Sequence, residues 1–252
     1  MKIWYFLVTN VLTYSYGLHG FLGNITCNNL EHNTKNYIAN ILENEDCSVA
    51  STWADRVKRT KKYLWTKKYH YIQLDICKNN YTKLELQEYC PNNACIFSGL
   101  TNFIRLNIFS ELNTLLTSKE KIKMILHLLQ DLFQPLHVYG LYKGGNDLEL
   151  IRNKNGRNKT VNLHYVYDYE FPNYFIKNYH INPIEIQFKQ IKNIDDYENN
   201  LINIINDNIM LSCNIYKKLG NSRYIIFEEF FDPQFFKNLF VKYLSFSISV
   251  LE

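Results

Sequence analysis

The sequence predicts an all-α protein, a single mainly helical domain, on three observations. Several long segments carry apolar residues at helical spacing. Strand signals are few. The 252 residues hold no internal repeat, no Gly/Ser linker and only five prolines, which favours one sizeable core. A hydrophobic fraction of 46% against 21% charged excludes a disordered chain.

Taken in order, the first segment stands outside this core. Residues 1–17 read as a signal peptide: Lys2 gives a positive start, Ile3 to Leu12 form an apolar run broken by Thr9 and Asn10, and Ser15 and Gly17 are small. Cleavage after Gly17 leaves 18–252 as the domain; cleavage after Leu18 is the alternative. This run, like the apolar stretch 240–251, is too short to span a membrane. Leu30, Tyr37, Ile38, Ile41 and Leu42 form the first helical stripe. Residues 97–116 form a second, 122–139 a third, and 197–219 and 224–244 two late helices. Asp232-Pro233 bends or interrupts the last one. Residues 144–162, opened by Gly144-Gly145-Asn146, form a long loop or a hairpin.

Composition bounds the function classes. A net charge of +4 admits a polyanionic substrate without requiring one. Basic residues gather in Arg56-Val57-Lys58-Arg59-Thr60-Lys61-Lys62 and in Lys67-Lys68, where a solvated helix face and a nucleic-acid patch are both open readings. Heavy use of Tyr and Phe matches a biased composition that also enriches Asn, Lys and Ile. Six cysteines, Cys27, Cys47, Cys77, Cys90, Cys95 and Cys213, follow the signal segment, an even count that suggests disulfides in an exported chain. Sequons at Asn24, Asn80 and Asn158 fit the same secretory compartment. No Cys-x-x-Cys pair is present, which argues against a thiolate zinc site.

The histidines are where chemistry concentrates. His127 and Asp131 lie four apart on a predicted helix, on one face. His137 follows ten residues after His127, close to three turns, and returns near that face. His164 and Asp168 repeat the four-residue spacing. Imidazole and carboxylate suit a borderline cation such as zinc. Burying His127, Asp131 and His137 among Met124, Leu128 and Leu136 is costly unless a compensating charge is present, and a metal supplies one.

Several motifs together resemble the S1/P1 nuclease family. Ser51-Thr52-Trp53-Ala54-Asp55 is similar to its Trp-Ala-Asp segment, and Tyr69-His70-Tyr71 to its Trp-His-Tyr or Trp-His-Phe segment. Residues 125–138, with His127, Asp131 and Gln134-Pro135-Leu136-His137, resemble its most specific motif. Gly144-Gly145-Asn146 and the stretch 162–168 complete the set in family order. The resemblance implies the phospholipase C/P1 nuclease fold, with a zinc cluster at the base of a cleft. It implies that Asp55, His70, His127 and Asp131 hold one zinc and His137, His164 and Asp168 a second. Asp131 would bridge to a third, held by the mature amino terminus and an early histidine. The zincs would acidify a water for attack on phosphorus, with Asp55 and Lys58 as catalytic residues and Lys58 neutralising charge. Tyr71, Gln73, Gly144, Gly145 and Asn146 would form a pocket for an unpaired base. The implied activity is hydrolysis of single-stranded DNA or RNA to 5′-nucleotides, with 3′-nucleotidase activity, by a monomer. The implied disulfides are Cys90–Cys95, Cys77–Cys213 and Cys27–Cys47.

The sequence also departs from that pattern. Aligned on His19-Gly20-Phe21-Leu22-Gly23-Asn24, His19 replaces the family's starting Trp and Asn24 its histidine ligand. An amide oxygen binds zinc more weakly than imidazole, so two sites are expected and the third is altered. A free amino-terminal His19 could chelate through amine and ring together if cleavage follows Leu18. Gln73 replaces an Asp, Tyr69 and Tyr167 replace tryptophans, and Gln130 replaces a glycine. Two rival readings remain: a phospholipase-type phosphoesterase on the same fold, and a non-catalytic descendant that binds nucleic acid or a partner.

Overall fold

The computed structural model describes residues 17–104, 115–182, 185–187 and 191–252. The expected targeting segment, Gly17 apart, and residues 105–114 of the second stripe lie outside the described residues. One helix organises the molecule. It spans Ser118–Leu132 and starts in a capping box, Thr117 accepting from Glu120 N while the Glu120 carboxylate reaches back. From Lys123 to Leu132 every residue is buried, the mark of a helix surrounded on all sides.

Its neighbours are α1 (Gly17–Asn28), α2 (His32–Ile41), α3 (Cys47–Ser51), α4 (Trp53–Val57) and, after α5 (Lys83–Glu88), α6 (Ile96–Ile104). The central helix is therefore α7. Then follow α8 (Phe171–Asn178), α9 (Ile194–Leu219) and α10 (Pro233–Leu251). The first stripe is only partly buried: Ile38 and Leu42 enter the core, but Tyr37 is 67% exposed, because adjacent helical positions point about 100° apart.

Residues 144–162 contain a hairpin, β1 (Glu149–Lys154) and β2 (Arg157–Asn162). Asn155 and Gly156, both at positive φ, make its two-residue turn. The expected helix over 224–244 is corrected at its start. Tyr224–Ile226 is a strand, β3, parallel to β1 with Ile151 opposite Tyr224, in a sheet of order β2-β1-β3. A short helix, Phe227–Phe230, follows, and the chain is interrupted at Asp232-Pro233 as expected. Asp232 caps α10 through its carboxylate, 2.9 Å from Gln234 N. The three disulfides are Cys27–Cys47, Cys77–Cys213 and Cys90–Cys95. Among the described residues no helix is long and apolar enough to cross a membrane.

Candidate metal centre

Five of the seven histidines and three aspartates converge beside α7. The arrangement begins with a close helix contact. A Cβ on Gly23 would meet Ser51 Oγ at 2.4 Å, so only glycine lets α1 lie this near α3. Ser51 Oγ then donates to His19 O at 2.7 Å, which seats His19 over the centre. The short α4 presents Asp55, and a 3-10 turn, Leu64–His70, ends on a buried His70. From α7 come His127, fully buried, and Asp131, 2% exposed.

His137 arrives by a different route from the one the spacing predicts. The helix ends at Leu132, because Pro135 lacks an N–H and drives Gln134 to an extended backbone, φ −82° and ψ 112°. His137 therefore sits on a separate 3-10 turn, Pro135–His137. Carbonyls opened by this break are taken by α9: Asn208 Nδ2 donates to Leu132 O at 2.5 Å, and Ser212 Oγ donates to Pro135 O. Ile72 N donates to His137 O at 2.9 Å and fixes the turn from the other side.

A left-handed turn follows, with Tyr142, Lys143, Gly144 and Gly145 all at positive φ. Gly144 is confined there, since a Cβ would meet Leu136 O at 2.3 Å. Its carbonyl accepts from His164 Nδ1 at 2.9 Å. Asp168 lies in a π-helical stretch, Val166–Glu170.

Asp131 is the hub. Its Oδ2 lies 2.7 Å from His70 Nδ1 and 3.1 Å from His127 Nε2. Its Oδ1 lies 3.5 Å from His137 Nδ1 and 3.6 Å from His19 Nε2. Asp55 Oδ1 is 3.4 Å from His127 Nε2 and 2.5 Å from Lys58 Nζ. At the far end Asp168 Oδ1 is 3.5 Å from His137 Nε2, and its Oδ2 is 4.0 Å from His164 Nε2. These proximities drive the titrations. Burial alone would lower His127, but the Asp131 and Asp55 carboxylates outweigh it and push it up to about 10. Burial opposes the ionisation of Asp131, yet His127 and His137 hold it well below the usual carboxylate range. His70 is drawn down to about 4 by burial, against its bond to Asp131. Asp168 falls to about 2, the His137 bond and charge overcoming burial.

The donor set fits a borderline divalent cation. Three groups, His19/His127/Asp131, Asp55/His70/His127 and His137/His164/Asp168, each bring their ligand atoms within 4.8 Å of one another. All donors are imidazole nitrogens or carboxylate oxygens. His137 Nδ1 is buried without a hydrogen-bond partner, facing Asp131. His127 Nδ1 lies 2.8 Å from Ser51 O, and with His164 it follows the outer-shell pattern of metal-binding histidines.

The other predicted residues are placed less uniformly. Lys58 pairs with Asp55, so the charges lie side by side. Tyr71 is half-buried on extended backbone, and Gln73 is exposed against Gly140. Gly144 and Gly145 are buried, while the exposed Asn146 turns its amide to Lys143 O at 2.9 Å. The expectation for Asn24 is corrected. Five residues beyond His19 on α1, it points about 140° away, and its Oδ1 accepts from Asn28 at 3.0 Å. His19 enters the centre through its ring, from inside a helix. Sequence reasoning missed Ser51, whose hydroxyl and carbonyl anchor two histidines, and Gln130, noted only as replacing a glycine; its place beside Asp131 was the available signal.

The S1/P1 Nuclease family model matches residues 15–233. Nuclease S1 of Aspergillus oryzae (strain ATCC 42149 / RIB 40) is 27% identical over 166 residues, 64% of this chain and 56% of that protein. Endonuclease 1 of Arabidopsis thaliana is 27% identical over 172 residues, 65% and 55% of the two chains. Nuclease P1 of Penicillium citrinum is 25% identical over 103 residues, 41% and 37%. The chain spans about half the length of the curated relatives S1 and Endonuclease 1.

Proposed function

Given that the chain belongs to the S1/P1 nuclease family, we propose that it is a zinc-dependent nuclease and 3′-nucleotidase. Its substrate would be the phosphodiester of single-stranded DNA or RNA, cut to 5′-nucleotides outside the cytosol. The observation that carries this reading is the convergence of five histidines with Asp55, Asp131 and Asp168. Asp55, His70, His127 and Asp131 would hold one zinc, His137, His164 and Asp168 a second, and His19 with Asp131 a third. Zinc bound there supplies a Lewis acid and a water of lowered pKa.

The chain's own groups do the rest. Lys58, bonded to Asp55 at the edge of the centre, carries a cation where phosphate charge must be met. Arg56, Arg59, Lys61, Lys62, Lys67 and Lys68 are exposed on the same stretch and attract a polyanion. Tyr71, half-buried directly after His70, offers a ring on which an unpaired base would stack. A base inside a duplex cannot enter without unstacking, which accounts for a single-strand preference. Three disulfides support an oxidising compartment.

The test is release of 5′-mononucleotides from single-stranded DNA and RNA by the purified chain, with a chelator and after zinc is restored. Release that the chelator stops and zinc restores is expected. A folded, zinc-loaded sample that binds the strand and releases nothing would overturn the enzyme and leave a binding protein.

A further inference from the structure

Two of the inward-facing rings are aimed by backbone carbonyls. His127 Nδ1 donates to Ser51 O and His164 Nδ1 to Gly144 O, which turns Nε2 of each towards the carboxylates. His19 has the same orientation, but its partner is a side chain: Nδ1 lies 2.7 Å from Gln130 Oε1. The Gln130 amide is itself oriented. Its nitrogen donates to His19 O at 3.1 Å, a carbonyl that can only accept. The amide oxygen must then face the ring, and since it too can only accept, His19 Nδ1 carries the hydrogen. The lone pair of the neutral ring is left on Nε2, 3.6 Å from Asp131 Oδ1 and 3.9 Å from Asp55 Oδ2. Lone pair and carboxylates repel unless a cation lies between them.

Stacking on His127, with centroids 4.1 Å apart and planes 24° from parallel, fixes the plane of the His19 ring. It does not fix which edge of the ring faces the carboxylates. Gln130, 5% exposed on α7 directly before Asp131, decides that.

We propose that Gln130 is a positioning residue for a metal ion at His19 and Asp131, acting by selecting the Nδ1–H form of the His19 ring. The ion would be held through the His19 ring, whose Nε2 faces Asp131. The proposal rests on the zinc reading above and deepens it.

The test pairs Gln130→Leu, which removes both hydrogen bonds, with Gln130→Glu, which keeps an acceptor for Nδ1–H. Zinc per chain and the affinity of the most weakly held ion are measured by chelator competition. Nitrogen-15 NMR of the zinc-loaded protein reads which His19 nitrogen carries the hydrogen. Expected are three ions in the unmodified chain, one for each donor group, with the hydrogen on Nδ1. Gln130→Leu should weaken one ion by roughly 10–100-fold and leave the other two unchanged, and Gln130→Glu should recover most of that loss. The proposal is overturned by a hydrogen on Nε2, by unchanged affinity in Gln130→Leu, or by a Glu variant no better than the Leu variant. An unmodified chain holding two ions overturns it while the nuclease reading stands; one holding none overturns both.

Discussion

Asp131 is 2% exposed, whereas the side chain of Asp168, at the other end of the centre, is 39% exposed. The two ends are also built differently. Around Asp131 the donors come from α7 itself (His127) and from helical elements packed on it (His70 and His19), and His127 and His19 are aimed by the hydrogen bonds that they donate to Ser51 O and Gln130 Oε1. Around Asp168 they come from three backbone irregularities: the Pro135 break, the left-handed turn at 142–145 and the π-helical stretch 166–170. Such irregularities cost free energy locally and persist where the surroundings enforce them. The buried end is thus coupled to the stability of the core. The open end is held by local backbone, with the Gly144 carbonyl bonded to His164.

Removing one carboxylate from each end tests this most severely. With zinc chelated, Asp131→Asn should lower stability by about 3–5 kcal/mol, because a buried, protonated His127 loses its main partner. Asp168→Asn should cost about 1 kcal/mol or less, its charge being partly solvated. Urea unfolding compares them, and equal losses would erase the distinction. A smaller effect is expected at the turn. Gly144→Ala forces a Cβ against Leu136 O in left-handed backbone and should cost about 1–3 kcal/mol. Zinc should leave the His137/His164/Asp168 group first, since the carbonyl that aims His164 must move. Loss of the buried ion instead would mean that the two ends are one unit.

The smallest expected effect is a proton count. In the metal-free protein His127 is raised from 6.5 to about 10. Its contribution to stability is therefore complete below pH 6.5 and is lost as pH rises through about 10. Zinc needs the Nε2 lone pair, so binding must expel that proton, and apparent affinity at the buried end should climb with pH across this window. Calorimetry in buffers of different ionisation heat reads the release directly. Uptake with no proton released there would contradict the raised His127.

Much of this was legible in the residues themselves. The helical stripes anticipated the helical class, and the third of them covers most of α7. The four-residue spacings anticipated His127 with Asp131 and His164 with Asp168. The three disulfide pairings followed from the family resemblance, and each is formed. Where reading failed, the deciding contact was distant in sequence. Tyr224–Ile226 looks helical by period, and its pairing with β1 overrides that preference. His137 reaches Asp131 although the helix that was to bring it there has ended.

The sequence by itself determined the donor types, their order and the local spacings that put two of them on one helical face, because those properties are covalent or repeat within a turn. Only the tertiary structure decided that His19 and not Asn24 enters the centre, that Gln130 aims it, and that the Gly144 carbonyl aims His164. Those choices depend on how near α1 comes to α3 and where the chain returns after Pro135, and closure over long loops is set by packing, which no local period encodes.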